Sequence, residues 1–231
     1  MKRLLYCIFQ HDGREAPAEW GPEMAVVHCH DLAVATSPWS DEEPANRFHN
    51  DLDVARLVAY EKTIAVLHST RTVVPLRFGC VMEDRSQIVR LLEEHEAEFA
   101  QLLGQLEGLA EMGLRVWWES PPEEPLPRAP GARYLAAARV RQAGLSPLEE
   151  RWADQLCGPL EGFYVQQKRE ARPVTSPYPP GGRLLSLHFL VARTAAEDFR
   201  ERVQRLALPG EVKVLISGPW PPYNFVDHAG P

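Results

Sequence analysis

The sequence has few cysteines, and they are not arranged in pairs. Four occur among 231 residues, at Cys7, Cys29, Cys80 and Cys157, and none has the CxxC spacing of a metal or redox motif. Each lies among apolar or small residues, which is typical of buried reduced thiols. The pattern argues against a disulfide framework. None of the cysteines lies in a nucleophile signature that would favour thiol catalysis.

Long apolar runs and a surplus of basic residues are also missing. The N-terminal apolar run covers only residues 4–9, and no segment approaches the roughly 18 apolar residues that span a bilayer. The chain has 25 basic and 32 acidic residues and a net charge of −7, whereas nucleic-acid-binding domains are usually basic. We expect a cytoplasmic protein that binds neither membranes nor nucleic acids.

Residues for catalysis or cofactor binding are equally scarce. The sequence has no phosphate-binding loop and no dinucleotide fingerprint. The best metal candidate is the run of His28, Cys29 and His30, because on a strand the two imidazoles would point to one face. A zinc site needs three or four ligands, and no second cluster of matching pattern occurs. We therefore favour a strand end with incidental histidines, and expect no metal and no cofactor.

Hydrophobic periodicity divides the chain into alternating strands and helices. In the first half we predict strands at 3–9, 24–29, 32–36 and 72–76, a helix at 51–68, and one amphipathic helix through 88–106 with Ser86 as its N-cap. In the second half we predict strands at 112–118, 183–191 and 212–216, and helices at 134–143, 147–168 (bent at Gly158-Pro159) and 195–206. Proline-rich loops are expected at 121–130 and 172–182.

This order of elements predicts an α+β protein with two domains, each a mixed or antiparallel sheet covered by helices. We place an N-terminal α+β domain at 1–108. A C-terminal domain at 109–231 is expected to be ferredoxin-like, with an extra helical crossover and a tail rich in proline and aromatic residues.

Two motifs have an unusual composition. In the first, at 74–80, a strand is followed by proline, a cation, an aromatic residue and glycine; Arg77 would either form a structural ion pair or contact a partner. The second, at 218–226, sets three aromatic residues among prolines; it would either fold back as a clasp or present an aromatic surface to a partner. The candidate partner-binding residues are Arg77, Phe78, Trp220, Tyr223 and Phe225, and those expected to shape the backbone are Pro75, Gly79, Gly218 and Pro219.

These motifs carry a resemblance to a known family. The run VVPLRFG at 73–79, the amphipathic helix after it and EMGLRVW at 111–117 resemble the central signature of the gas vesicle F/L family. The run GPWPPYNF at 218–225 resembles that family's closing signature, and the strand holding Leu4 and Tyr6, with DLAV at 31–34, is similar to its N-terminal half. The resemblance covers essentially the whole chain. The chain departs from the family at Cys80, where a small hydroxyl residue is common.

The resemblance implies a two-domain α+β protein without a catalytic centre. It also implies a role in gas vesicle formation, in association with the apolar shell protein and other accessory proteins. The expectation is thus a non-catalytic assembly factor located in the cytoplasm and at the gas vesicle. The alternatives are a ferredoxin-like module that binds a small ligand and, less favoured, a thiol- or metal-dependent enzyme.

Overall fold

The computed structural model describes residues 1–40, 51–119, 145–173, 182–206 and 212–226. The chain divides into two compact units. The first unit comprises Met1–Leu109 together with Trp220–Pro231, and the second unit comprises Ala110–Pro219. Within the described residues, no helix is long and apolar enough to cross a membrane.

The first unit is built on a five-stranded sheet. Its strands are β1 (Arg3–Gln10), β2 (Ala25–Cys29), β3 (Leu32–Pro38), β4 (Val73–Pro75) and β5 (Val81–Met82). The order is β2-β3-β1-β4, with β5 also paired to β1, and all these pairs are antiparallel. The central position of β1 follows from its nearly continuous apolar run, because such a strand is buried on both faces. Strand β4 lies at the end of this order, where its Pro75 is tolerated because an edge strand needs fewer N–H donors.

Helices α1 (Asp51–His68), α2 (Arg85–Glu94) and α3 (Glu96–Gln105) complete the first unit. On α1, Tyr60, Ile64 and Leu67 recur at helical spacing and pack into a core with Phe9 of β1 and Val73 of β4. Burial of these side chains fixes the helix against the sheet.

The single helix predicted through residues 88–106 is wrong in one respect, because the structure has two helices there. The backbone of His95 leaves the helical region at φ −115° and ψ 18°, and this residue separates α2 from α3. The N-cap is also not Ser86. Asp84 takes this role because its carboxylate accepts a hydrogen bond from the backbone N–H of Gln87 at 3.0 Å.

The second unit has a four-stranded sheet and two described helices on one face. The strands are β6 (Leu109–Glu119), β7 (Gln166–Pro173), β8 (Gly182–Ala192) and β9 (Val212–Trp220), in the order β7-β8-β6-β9. The helices are α4 (Pro147–Cys157) and α5 (Ala196–Gln204). Alternate side chains of β6 and β8, such as Leu114 and Phe189, pack against Leu156 of α4 and Phe199 of α5. This forms a separate core.

Two predictions for the second unit are corrected by the structure. Residues 166–168, predicted as helix, belong to strand β7, which is paired along its whole length with β8 from Gln166↔Leu190 to Pro173↔Arg183. The run of helix-forming residues misled the prediction because cross-strand pairing overrides local propensity. Helix α4 ends at Cys157, where Gly158 and Pro159 enter a 3-10 turn, and β9 continues beyond the predicted residue 216 to Trp220. The predicted loop 121–130, the helix 134–143 and most of the connector 172–182 lie outside the described residues.

The expected α+β class with two sheets is confirmed. The sequence analysis assigned the aromatic tail to the C-terminal domain, whereas the division into compact units groups Trp220 and the residues after it with the first unit. The tail from Trp220 onward therefore belongs to the first unit.

Candidate functional site

The first motif forms a turn that leads the chain from one edge strand to the next. After β4, the backbone N–H of Leu76 donates to the carbonyl of Tyr6 at 2.9 Å, and the N–H of Cys80 donates to the carbonyl of Arg77 at 3.2 Å. Gly79, the third residue of this turn, has a φ of +90°. A positive φ at this position is the signature of a type II turn, which favours glycine. The turn leaves Arg77 exposed.

The hydroxyl of Tyr60 holds this turn against the central strand. It lies 2.9 Å from the carbonyl oxygen of Leu5, 3.2 Å from that of Tyr6 and 3.0 Å from that of Leu76. The pairing of β1 with β3 shifts register between Leu5 and Ile8, so the contact falls on a bulge where the ladder is interrupted. Burial raises the pKa of Tyr60 far above its usual value, and the hydroxyl remains a donor.

An aromatic cluster surrounds Tyr60. The ring of Tyr6 stacks on Tyr60 at 4.7 Å between centroids, Phe78 meets Tyr60 edge-on at 5.1 Å, and Trp39 meets Phe78 edge-on at 6.5 Å. These are the favourable geometries for aromatic pairs. Phe78 is thus held in the first unit's core cluster, and only its neighbour Arg77 projects from the turn.

The aromatic tail meets the same core. Tyr223 packs against the cluster that contains Tyr60 and Phe9, and Phe225 is 8% exposed. A 3-10 turn at Tyr223–Phe225 follows Pro222, whose carbonyl accepts a hydrogen bond from the N–H of Phe225 at 3.1 Å. Of the two alternatives for this tail, the contacts favour a clasp, formed on the first unit. Trp220 remains 48% exposed.

Gly218 occupies a place where no side chain fits. Its φ is +105°, and a β-carbon added there would lie 2.5 Å from the carbonyl oxygen of Glu111. That carbonyl belongs to β6, so the glycine allows β9 and β6 to approach closely within the second unit. The guanidinium of Arg200 donates to the carbonyl of Gly218 at 2.6 Å. Gly218 and the cis peptide bond that it forms with Pro219 lie close to the end of β9.

The five candidate partner-binding residues differ in accessibility. Arg77 and Trp220 are exposed, Phe78 and Tyr223 are half-buried in the core cluster, and Phe225 is buried. Arg77 has no ion pair with any residue that the structure describes, so the expected structural ion pair is not seen there. A partner that approaches the first unit would reach Arg77 and Trp220 first.

Two exposed side chains on α1 were missed by the sequence reasoning. Val54 and Val58 are 58% and 57% exposed and lie one helical turn apart, so they share a face of the helix. In the sequence these valines show only a four-residue spacing. Core residues of a helix have the same spacing, so it does not distinguish exposed positions from buried ones. Tyr60, two residues further on, was missed for the same reason: which face of α1 is covered is decided by the sheet.

The metal candidate does not assemble. Strand β2 ends at Cys29, and His30 follows it with a positive φ of 49°, so the two imidazoles do not share a strand face. The ring of His28 stacks on His11 at 4.5 Å, and Nδ1 of His30 lies 3.2 Å from a carboxylate oxygen of Glu96. Across the described ranges, no group of three or more His, Cys, Asp or Glu side chains is placed to hold a metal ion.

The cysteines are poor nucleophiles in this structure. Burial raises the pKa of Cys80 to about 11 and that of Cys157 to about 11, and it raises the pKa of Cys7 still further. The pKa of Cys29 is raised by desolvation and by the neighbouring carboxylate of Glu93, whose oxygen lies 3.7 Å from the sulfur. A thiolate is the reactive form, so raised pKa values disfavour thiol chemistry.

A cleft of about 270 Å³ lies on the first unit between the loop after β1 and the end of α1. Arg14, Glu15, Glu19 and Arg71 are among its lining residues. Asp12 pairs with both arginines, and its pKa is lowered chiefly by the hydrogen bond from Arg14. Both arginines of the cleft are thus already paired with the carboxylate of Asp12.

Taken together, the fold and these features describe an α+β protein whose distinctive motifs build turns, close backbone contacts and an aromatic cluster. The model of the family "Gas vesicle synthesis protein GvpL/GvpF" matches residues 2–227. The chain is 32% identical over 202 residues to gas vesicle protein L of Streptomyces sp. (strain CB03234), which covers 80% of this chain and 74% of that protein. It is 28% identical over 189 residues to gas vesicle protein F of the same strain, covering 74% and 77%.

The fold agrees with solved structures. The crystal structure of GvpF from Anabaena sp. PCC7120 superposes with a TM-score of 0.71 at 16% identity, covering 99% of this chain and 97% of that one. GvpF from Microcystis aeruginosa gives a TM-score of 0.67 at 17% identity, covering 98% and 99%. This chain belongs to the GvpL/GvpF family of gas vesicle proteins. The resemblance seen in the sequence is confirmed, and the family is one of structural gas vesicle proteins, not of enzymes.

Proposed function

We propose that the protein is an assembly factor that binds the apolar gas vesicle shell subunit, and other accessory proteins, while the vesicle is built. The observation that carries this proposal is the family match over residues 2–227. We place its action in the cytoplasm and at the growing vesicle, without a cofactor and without contact to nucleic acid or membrane.

A physical argument supports the need for such a factor. The wall of a gas-filled vesicle must present an apolar face to the gas, so free wall subunits would expose large apolar patches to water. Patches of this kind lead to aggregation. An acidic protein with a net charge of −7 stays soluble by self-repulsion while an apolar part of its surface covers the subunit.

We place the contact on the first unit. Val54 and Val58 on α1 and Trp220 in the tail are large apolar side chains that are 58%, 57% and 48% exposed. Arg77 is exposed on its glycine turn and can donate several hydrogen bonds from one guanidinium. In this proposal Phe78, Tyr223 and Phe225 do not contact the partner. They pack against the core of the first unit and so hold the turn and the tail in place. Pro75, Gly79, Gly218 and Pro219 shape the backbone that carries them.

Co-expression with the shell protein tests the proposal. We expect the chain to raise the fraction of shell protein that stays soluble after centrifugation. The double variant V54S/V58S and the double variant R77E/W220A should each lower that fraction. All four positions are exposed, so the fold should tolerate these changes.

The matched controls use exposed positions outside the four proposed contact residues, two on the second unit and one on α2 of the first unit. L148S/V165S removes two apolar side chains that are 41% and 67% exposed, and R85E reverses an exposed cation on α2. These variants should behave like the unchanged chain. If co-expression of the chain leaves the soluble fraction of the shell protein unchanged, the proposal that the chain binds the shell protein is wrong. If the control variants lower solubility as much as the others, the contact lies elsewhere.

We also propose that the second unit is ferredoxin-like. The order β6, α4, β7, β8, α5, β9 along the chain is the β-α-β-β-α-β sequence of that motif, and the sheet order β7-β8-β6-β9 agrees with it. The extra helical crossover between β6 and α4 remains part of this proposal. An experimental structure in which β6 and β8 run antiparallel would contradict the ferredoxin-like assignment.

A further inference from the structure

The sheet of the second unit carries charged and apolar side chains on the face opposite its helices. On β6, Met112, Leu114 and Val116 point into the core formed with α4 and α5. Successive side chains of a strand alternate between faces, so Arg115 and Trp117 lie on the opposite, outer face.

The register between β6 and β9 follows from two contacts. A β-carbon added at Gly113 would lie 2.8 Å from the hydroxyl oxygen of Ser217, and the ammonium of Lys213 lies 4.9 Å from the centroid of the Trp117 ring. These contacts place 113 opposite 217 and 117 opposite 213, as in an antiparallel pair. The same register sets Arg115 opposite Leu215 on the outer face.

Four neighbouring side chains therefore form what we call the outer patch: Arg115, Trp117, Lys213 and Leu215. Arg115 and Lys213 are exposed, and Leu215 is 60% exposed. Lys213 covers the Trp117 ring in a cation–π contact. The patch thus has an exposed aliphatic side chain beside two cations, with an aromatic ring beneath one of them.

Within the parts of the chain that the structure describes, neither Arg115 nor Lys213 has an ion pair. Glu111, an acidic residue of β6 on the same face, has its carboxylate 2.9 Å from Nδ1 of His188 and is 3% exposed. The outer patch is therefore locally basic on a chain with a net charge of −7.

We propose that the outer patch is a second docking surface, which binds an acidic amphipathic segment of a partner protein. Carboxylates of that segment would pair with Arg115 and Lys213, and an aliphatic side chain between them would cover Leu215. Charge complementarity of this kind sets specificity and the rate of association. The surface lies on the second unit and is independent of the shell contact proposed for the first.

A protein segment fits this patch better than a nucleic acid. Binding of single strands relies on open aromatic faces on which bases stack. Here Lys213 covers one face of the Trp117 ring. The indole nitrogen of Trp117 is buried and has no hydrogen-bond partner among the described residues. The most exposed apolar group, Leu215, is aliphatic and cannot stack with bases.

The test uses the full chain and a defined probe. The probe is a fluorescein-labelled peptide of roughly 18 residues with glutamate and leucine at helical spacing, and its twin has lysine in place of every glutamate. Fluorescence anisotropy should show saturable binding of the acidic peptide only. R115E/K213E should weaken that binding by about tenfold or more, and added salt should weaken it in the unchanged chain. L215S should weaken it to a smaller extent.

The control R85E/R90E makes the same change in net charge at two exposed positions of α2 and should leave binding within about twofold of the unchanged chain. Equal binding of both peptides, or an equal loss in R115E/K213E and R85E/R90E, would overturn the proposal. Displacement of the peptide by single-stranded RNA would overturn the assignment to a protein partner. No binding of the acidic peptide would mean that Lys213 only guards an edge strand against aggregation, and the proposal would be wrong.

Discussion

The contact between Tyr60 and the bulge of β1 allows a specific test of what holds the first motif in place. In Y60F the ring, with its stacking on Tyr6 and its edge contact with Phe78, is retained, and only the hydroxyl is lost. The hydroxyl has one hydrogen, so it donates to one carbonyl at a time among the three that lie within 3.2 Å. The variant therefore removes one shared hydrogen bond from a buried site.

The expected loss of stability follows from two terms. A net intramolecular hydrogen bond contributes about 1 kcal/mol, and a buried carbonyl left without a donor costs about 1–3 kcal/mol. Leu5 and Leu76, which provide two of the carbonyls, are 0% and 1% exposed, so water does not replace the hydroxyl readily. We expect Y60F to lower the free energy of unfolding of the first unit by about 1.5–3 kcal/mol. With a urea slope of about 2 kcal/mol per molar, the midpoint should fall by roughly 1 M.

Hydrogen exchange measured by mass spectrometry at increasing urea concentration reads this effect from peptides of β1 and β4, and so reports the first unit separately. The control is Y164F in the second unit, where the half-buried ring packs on Phe189 at 5.1 Å and no described residue forms a hydrogen bond with its hydroxyl. It should change stability by less than about 0.5 kcal/mol. If Y60F changes the midpoint no more than Y164F does, the hydroxyl does not hold the turn, and the reasoning is refuted.

The remaining predictions concern glycines, thiols and a helix cap. G218A should lower the free energy of unfolding by more than about 2 kcal/mol, because its new methyl group meets a backbone carbonyl. G104A in α3, where a new methyl group meets no atom within 4 Å beyond its chain neighbours and the backbone of its own helix, should raise this free energy by about 0.5–1 kcal/mol. Urea unfolding compares the two variants, and equal effects would contradict the close approach at Gly218. At pH 8 a maleimide should label half-exposed Cys29 before Cys7, because Cys7 is buried and burial raises its pKa. Mass spectrometry locates the label, and equal labelling rates at the two cysteines would contradict the burial of Cys7. S146A should cost about 1 kcal/mol in thermal or urea unfolding, because it breaks the capping box at the start of α4, and no change would contradict that role.

Most secondary structure could be predicted from periodicity because burial leaves a regular trace in the sequence. The apolar run of β1 marks a strand that is buried on both faces, and the alternation of β6 and β9 marks one covered face. Strand β7 could not be predicted, because its sequence is rich in helix formers and its only reason to be extended is the partner strand β8. The break at His95 was missed because the apolar pattern continues across it.

The candidate site was predictable in part. The two motifs stand out by composition, and glycine at 79 and 218 indicates backbone positions that other residues cannot adopt. The sequence could not reveal that Phe78 and Tyr223 pack into one cluster around Tyr60, since these residues are far apart along the chain. It also could not distinguish the exposed Val54 and Val58 from core positions, because both kinds recur every three or four residues on a helix.

Residue types and their spacing were sufficient to predict the family, the α+β class and the positions where the backbone must turn, because these depend on local residue types and on patterns that repeat along the chain. The folded structure was needed to show which aromatic residues are covered, which cations have no ion pair among the described residues, and on which unit the tail packs. Those outcomes depend on burial and on distances between residues remote in sequence, and no local pattern records them.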